Sequence, residues 1–135
     1  MSDFGAVMDV LITECRTAVP AIPAGALGAE RDFRLGEELR KDELPHVFVH
    51  SPAEQIELLD LQQERRTFVC TIDVWDEVGQ EAMAVYLDAI RDRIAANRTL
   101  TSSVDYATVS ARQIVELAGK TRRVGRLEVT AVEDV

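Results

Sequence analysis

Histidine and cysteine are scarce in this chain, with two of each, and tryptophan occurs once, at Trp75. Cys15 and Cys70 lie far apart and make no metal-ligand pair. Cys15 falls on the apolar side of a helical pattern and Cys70 among the inward positions of a strand pattern. Both read as buried, reduced thiols that pack like small hydrophobes. His46 and His50 flank Val-Phe-Val, a strand-like spacer. It would hold them about 13 Å apart at ~3.3 Å per residue, too far to share a metal. They read as surface or edge histidines, and no HExxH motif occurs. No apolar run approaches the ~20 residues that cross a bilayer. The opening MSDFGAVMDV carries Asp3 and Asp9 without a basic leader region, so a cytoplasmic site of synthesis is expected. Catalytic signatures are equally sparse: there is no GxSxG elbow and no dinucleotide-binding glycine fingerprint. Gly-Lys-Thr at 119–121 lacks the glycine a phosphate loop needs five residues earlier, where Ile114 stands. A strand pattern follows it instead of a helix, so it reads as a turn. Few groups remain that could act as a general base near neutral pH.

What is present suits a soluble globular domain. The 135 residues are 47% apolar and 29% charged, enough for one core, and a single domain over 1–135 is expected. Net charge is −9, which argues against general affinity for nucleic-acid phosphates. The acidity is concentrated: residues 1–64 hold 13 acids against 5 bases, residues 65–135 hold 11 against 10. Such an asymmetry is either plain solvation or a surface that must not adhere to a polyanion.

Periodicity divides the chain. Phe4, Val7, Met8, Leu11, Ile12 and Cys15 make one helical stripe over 3–18, with Ser2 as a candidate N-cap and Pro20 and Pro23 ending it. Residues 21–44 have no clean period and carry Gly25, Gly28 and Gly36, predicting a long loop with a short strand near Phe33 and Leu35. Residues 46–52 read as a short strand stopped by Pro52, after which QIELLD either joins the sheet or extends the loop. In QERRTFVCTIDVWD, Phe68, Cys70, Ile72 and Val74 alternate with Thr67, Val69, Thr71, Asp73 and Trp75, the best strand in the chain. A second amphipathic helix follows, with Met83, Tyr86, Leu87, Ile90 and Ile94 as its apolar face. Strand patterns at 104–117 and 122–132 flank the turn AGKT, with Gly125, Leu127, Val129 and Ala131 sharing a face. The order predicts an α+β fold: a mainly antiparallel four- to five-stranded sheet with two helices packed on one face.

Two clusters carry charge worth weighing. Asp73, Asp76 and Glu77 end a strand just before a helix. That placement suits capping and compensation of the helix dipole better than a metal or acid–base site. Arg65–Arg66 and Arg122–Arg123 each begin a strand. They either protect an exposed sheet edge against uncontrolled pairing or dock onto acids of a neighbouring subunit.

The series LPHVFVHSP, AEQIELLDLQQERRTFVCTIDVW, EAMAVYLDAIRDRIAAN, TLTSSVDYATVSA and RRVGRLEVTAV resembles the tail-terminator family of long-tailed bacteriophages, relatives of the lambda minor tail protein U. The resemblance spans about residues 4–132 and lies in the order and style of elements; 65–132 carries most of it. It implies a structural virion protein, without enzymatic activity or cofactor, that forms a hexameric ring at the head-proximal end of the tail. The ring caps the tube, halts polymerisation of the major tail tube protein and joins a head-completion or neck protein, while DNA passes through the pore unbound. On that reading Glu54, Glu57, Asp60 and Glu64 are candidates to line the pore, because lysine and arginine contacts there would hold the DNA. Arg31, Arg34, Arg65, Arg66, Arg122 and Arg123 meet a neighbouring subunit or the tube. Prophages and gene transfer agents carry proteins of the same kind. The alternatives are another head–tail joining or tail-completion protein, and a small-ligand or metal-dependent enzyme using Asp73 and Asp76.

Overall fold

The computed structural model describes residues 4–23, 26–29, 41–116 and 122–134. Helix α1 runs Phe4–Ala18 and helix α2 Gln80–Ala96; the strands are β1 Leu27–Ala29, β2 His46–Leu58, β3 Glu64–Asp76, β4 Tyr106–Glu116 and β5 Arg123–Asp134. The strands form one sheet in the order β1-β2-β3-β5-β4, antiparallel except for the short parallel β1–β2 pair. This is the predicted α+β architecture, with both helices on one face.

The core follows from strand parity. Val47 pairs with Val74 and Val74 in turn with Gly125, Val49 with Ile72 and Ile72 with Leu127, and Cys70 with Val129, all on the helix side. Val7, Leu11 and Cys15 of α1 and Met83, Leu87, Ile90 and Ile94 of α2 close over them, all essentially fully buried. Each large side chain removed from water in this way contributes ~1.5–3 kcal/mol. One spot is unusually tight. A Cβ placed on Gly125 would lie 2.7 Å from Sδ and 2.9 Å from Cγ of Met83, and 3.0 Å from Leu87 Cδ1. Only glycine lets α2 approach β5 this closely.

Several expectations need correction. Pro52 does not stop β2. The register passes from His50 opposite Thr71 to Ala53 opposite Val69, so Ser51 and Pro52 share one partner position in a bulge. A bulge leaves a residue outside the ladder, which is where a proline without an N–H can sit. QIELLD therefore belongs to the sheet as far as Leu58. The expected long loop at 21–44 contains β1 and a 3-10 turn at Lys41–Glu43. Phe33, Leu35, Arg31 and Arg34 lie outside the described residues, as do Ser2 and the AGKT turn.

Strand order overturns the edge reading of the arginine pairs. β3 and β5 are interior strands, so Arg65, Arg66, Arg122 and Arg123 stand at strand ends, not along an exposed edge. Nor are the histidines on the surface. His46 is buried, and its ring lies 4.4 Å from that of fully buried Phe48; the His50 ring lies 6.2 Å beyond.

Candidate functional site

Opposite the helices, β3 and β5 bring together residues that are 53 apart in sequence. Asp73 is buried, and its two carboxylate oxygens accept from Arg126 Nε at 2.7 Å and a terminal nitrogen at 3.1 Å. His50 Nε2 stands 3.3 Å from the same carboxylate. The guanidinium is held protonated well above its ordinary range by this bidentate bond and charge. Asp73 is thus a cross-strand anchor on the sheet face away from the helices. It is not the helix-start residue that its position before α2 suggested.

Asp76 does not cap α2 either. The N-cap is Gly79, in extended conformation and without a side-chain bond. Asp76 instead accepts from the Glu77 N–H at 2.8 Å and from the Tyr86 hydroxyl at 2.7 Å. Burial, followed by that bond and the carboxylate charge, pushes the Tyr86 phenol up to about 12. Glu77 accepts from Arg122 Nε at 3.1 Å and has Lys41 Nζ at 3.8 Å. Arg123 donates to the Val78 carbonyl at 2.7 Å and pairs with Glu116 at 3.4 Å. The Arg122–Arg123 pair therefore clamps the β3–α2 connection from the start of β5. A second clamp joins the helices: Arg93 forks onto buried Glu14 at 3.0 and 3.4 Å. At the other end of the sheet, Arg65 forks onto Asp134 at 2.9 and 3.3 Å, and Arg66 lies 3.7 Å from Glu64. The Arg65 bond raises that guanidinium's pKa and holds the Asp134 carboxyl below its usual range.

The four acids grouped as a pore lining are not gathered on one face. Glu57 stands opposite Arg65 and Leu58 opposite Glu64, so Glu57 and Glu64 alternate in parity. Asp60 is in the turn, where it accepts from the Gln62 and Gln63 N–H groups at 2.7 and 3.0 Å. Glu54 pairs by register with Phe68, further down the ladder.

That turn caps the feature that sequence reasoning missed. Beyond its bulge, β2 runs on beside β3, which stays paired with β5 as far as Arg65, and this end of the β2–β3 hairpin forms an arm whose turn lies past the last β3–β5 pair. Exposed apolar side chains run along it: Ile56 60%, Leu58 73%, Leu59 40% and Leu61 103% of their full exposure. Leu59 N–H donates to the Gln63 carbonyl at 2.9 Å and closes the tip. The signal was present in QIELLDLQQE, where leucine and isoleucine alternate with acids and glutamines past a proline. A second surface feature lies across the sheet. A cleft of about 180 Å³ between the last turns of α2 and the start of β4 has an apolar floor of Ile94, Ala107 and Val109, with Arg91 and Arg98 among its walls.

The cysteines are both buried and free, and burial with the neighbouring Glu14 charge pushes the Cys15 thiol up to about 12. Among the described residues no three His, Cys, Asp or Glu side chains are grouped to hold a metal ion. No helix among them is long and apolar enough to cross a membrane.

No family model matches the sequence, and no curated protein matches it. The fold is similar to a chain of a solved structure described as "Virion of native gene transfer agent (GTA) particle", at 11% identity and a TM-score of 0.52. The likeness covers 97% of this chain and 96% of that one, so the two share one fold from end to end.

Proposed function

We propose that this chain is a non-enzymatic structural subunit of a tailed-phage-like particle. In this reading it caps the tail tube as a hexameric ring at the head-proximal end, ends polymerisation of the tube protein and offers the surface that joins the head. The observation that carries the proposal is the end-to-end likeness to a chain of a gene transfer agent virion. The element order quoted for the tail-terminator resemblance is also the order in the fold: helix, strands, helix, two closing strands. The disposition of charge supports it. Asp73, Asp76, Glu77 and Glu14 each already accept from an arginine or a tyrosine of the same chain, as suits a part that must be rigid. The acidic half of the chain would leave passing DNA without phosphate contacts to stall on.

The test is to make particles without this protein. Tails that grow past their normal length support the terminator. Tails of normal length that fail to join heads support a head–tail joining role instead. Particles normal in both respects sink both assignments. Mass measurement of the protein on tails, with six copies expected, checks the ring independently.

A further inference from the structure

We propose that the leucine-bearing tip of the β2–β3 arm docks into the arginine-walled cleft between α2 and β4 of a second copy of this chain. Three observations converge on that occupant. The arm carries Ile56, Leu58, Leu59 and Leu61 into solvent, a concentration of apolar surface that a protein ordinarily covers. Among the same residues stand the acids Glu57, Asp60 and Glu64, whereas Arg91 and Arg98 border the apolar floor of the cleft. Arg98 makes no ion pair among the described residues. The two surfaces thus match in both polarity and sign, an apolar centre with acids on one side and bases on the other.

Topology makes the contact intermolecular. β2 and β4 are separated by β3 and β5, so three strand spacings of ~4.8 Å, roughly 14 Å, lie between the arm and the cleft of one copy. The turn of the arm lies beyond the last β3–β5 pair, Arg65 with Asp134. Both features lie toward the same end of the sheet, since Glu64 and Arg65 of the arm and Ala107 of the cleft sit at the Asp134 end of β5. Different, complementary patches on opposite flanks make a head-to-tail contact, which closes into a ring when the rotation between copies allows it. The turn needs little ordering on binding, because Asp60 and the Leu59–Gln63 bond already fix it. Closure of the contact into a ring rests on the functional reading above; the contact itself does not.

The test uses the full chain with Leu61→Cys and Ala95→Cys, two exposed positions, one on the tip and one beside the cleft. The native thiols are buried and do not compete. Under mild oxidation the double variant should give a ladder of disulfide-linked species, and an equal mixture of the two single variants should stop at dimers. Linking of L61C to itself, or no linking in the double variant, overturns the contact. In sedimentation, Leu58→Ser with Leu61→Ser should weaken self-association roughly a hundredfold, from the loss of two buried leucines. Wild-type chain that stays monomeric overturns the proposal. So does an arm variant that self-associates normally, including one that loses only attachment to tube protein. Open-ended oligomers that both tests disrupt uphold the contact and remove the ring; a six-copy assembly indifferent to both removes the contact and leaves the ring.

Discussion

Gly125→Ala is the smallest change that tests how α2 is seated on the sheet. The added methyl group would meet Met83 Sδ at 2.7 Å, Met83 Cγ at 2.9 Å and Leu87 Cδ1 at 3.0 Å. Both side chains are fully buried, so neither can swing into solvent. Overpacking of this kind costs ~1–3 kcal/mol. Against it stands the loss of glycine's freedom in the unfolded chain, which favours alanine by ~0.5–1 kcal/mol. The net expectation is destabilisation by ~1–2 kcal/mol, read as a lower urea midpoint at unchanged m-value. Met83→Ala alone should cost ~2–5 kcal/mol as a cavity. Combined, the two substitutions should cost less than their sum by ~1 kcal/mol or more, because the alanine methyl enters space that Met83 vacates. Gly79 is the internal control. A Cβ there meets nothing within 4 Å, and as an N-cap without a side-chain bond it should gain a few tenths of a kcal/mol from Gly79→Ser. A Gly125→Ala variant as stable as the wild type, or additive with Met83→Ala, would refute close helix–sheet contact at this point.

Removing the two partners of the Asp73–Arg126 fork should have unequal effects. Arg126→Ala leaves a nearly buried carboxylate beside His50 and should cost ~1–3 kcal/mol, whereas Asp73→Ala frees a half-exposed guanidinium that water can receive and should cost less; chemical denaturation of both variants decides it. Alkaline titration should destabilise the fold in two overlapping steps. The Cys15 thiol rises from 9.0 to about 12 and the Tyr86 phenol from 10.0 to about 12, so each contribution is intact below the lower value and lost as pH climbs to the upper. Tyr86→Phe should remove its step from the stability–pH profile. A thiol reagent at mildly alkaline pH should label neither cysteine in the native protein and both after unfolding. Finally, Leu100, Thr101 and Ser102 all adopt left-handed backbone, at φ of 47°, 57° and 65°. Exposed Ser102 should tolerate Ser102→Gly with a raised melting temperature, since the Cβ penalty in that region is ~1–2 kcal/mol.

Much of the fold was legible because burial imposes period. Val7, Leu11 and Cys15 of the α1 stripe, the alternation Phe68-Cys70-Ile72-Val74 and the shared face of Leu127, Val129 and Ala131 all belong to one core, and the structure buries them as read. What stayed hidden depends on partners distant in sequence. Nothing near Asp73 announces Arg126, and nothing near Glu14 announces Arg93, because cross-strand register and helix pairing decide both. Pro52 misled for the same reason: a proline is a stop signal locally, yet the bulge against Val69 and Thr71 accommodates it. The arm was overlooked as a surface because its apolar residues resemble strand-core positions until strand length is known. Leu58 stands in the last β2–β3 pair and Leu61 in the turn beyond it, where no strand partner follows.

The arginines illustrate how topology reassigns a charge. In sequence, two pairs at strand starts look equally fit to guard an edge or reach a neighbour. In the fold, Arg65 is forked onto Asp134, Arg122 holds Glu77, and Arg123 holds the Val78 carbonyl and Glu116. For any of these to dock elsewhere, an existing bidentate or carbonyl bond must first break, which leaves Glu77 or the Val78 carbonyl without its donor and loosens the connection that orients α2. A neighbour is met more readily by groups with no such obligation. Arg98 is one, and the leucines of the arm are others. Assembly through them would leave every internal clamp in place, so a subunit could fold first and associate afterwards without rearranging its frame.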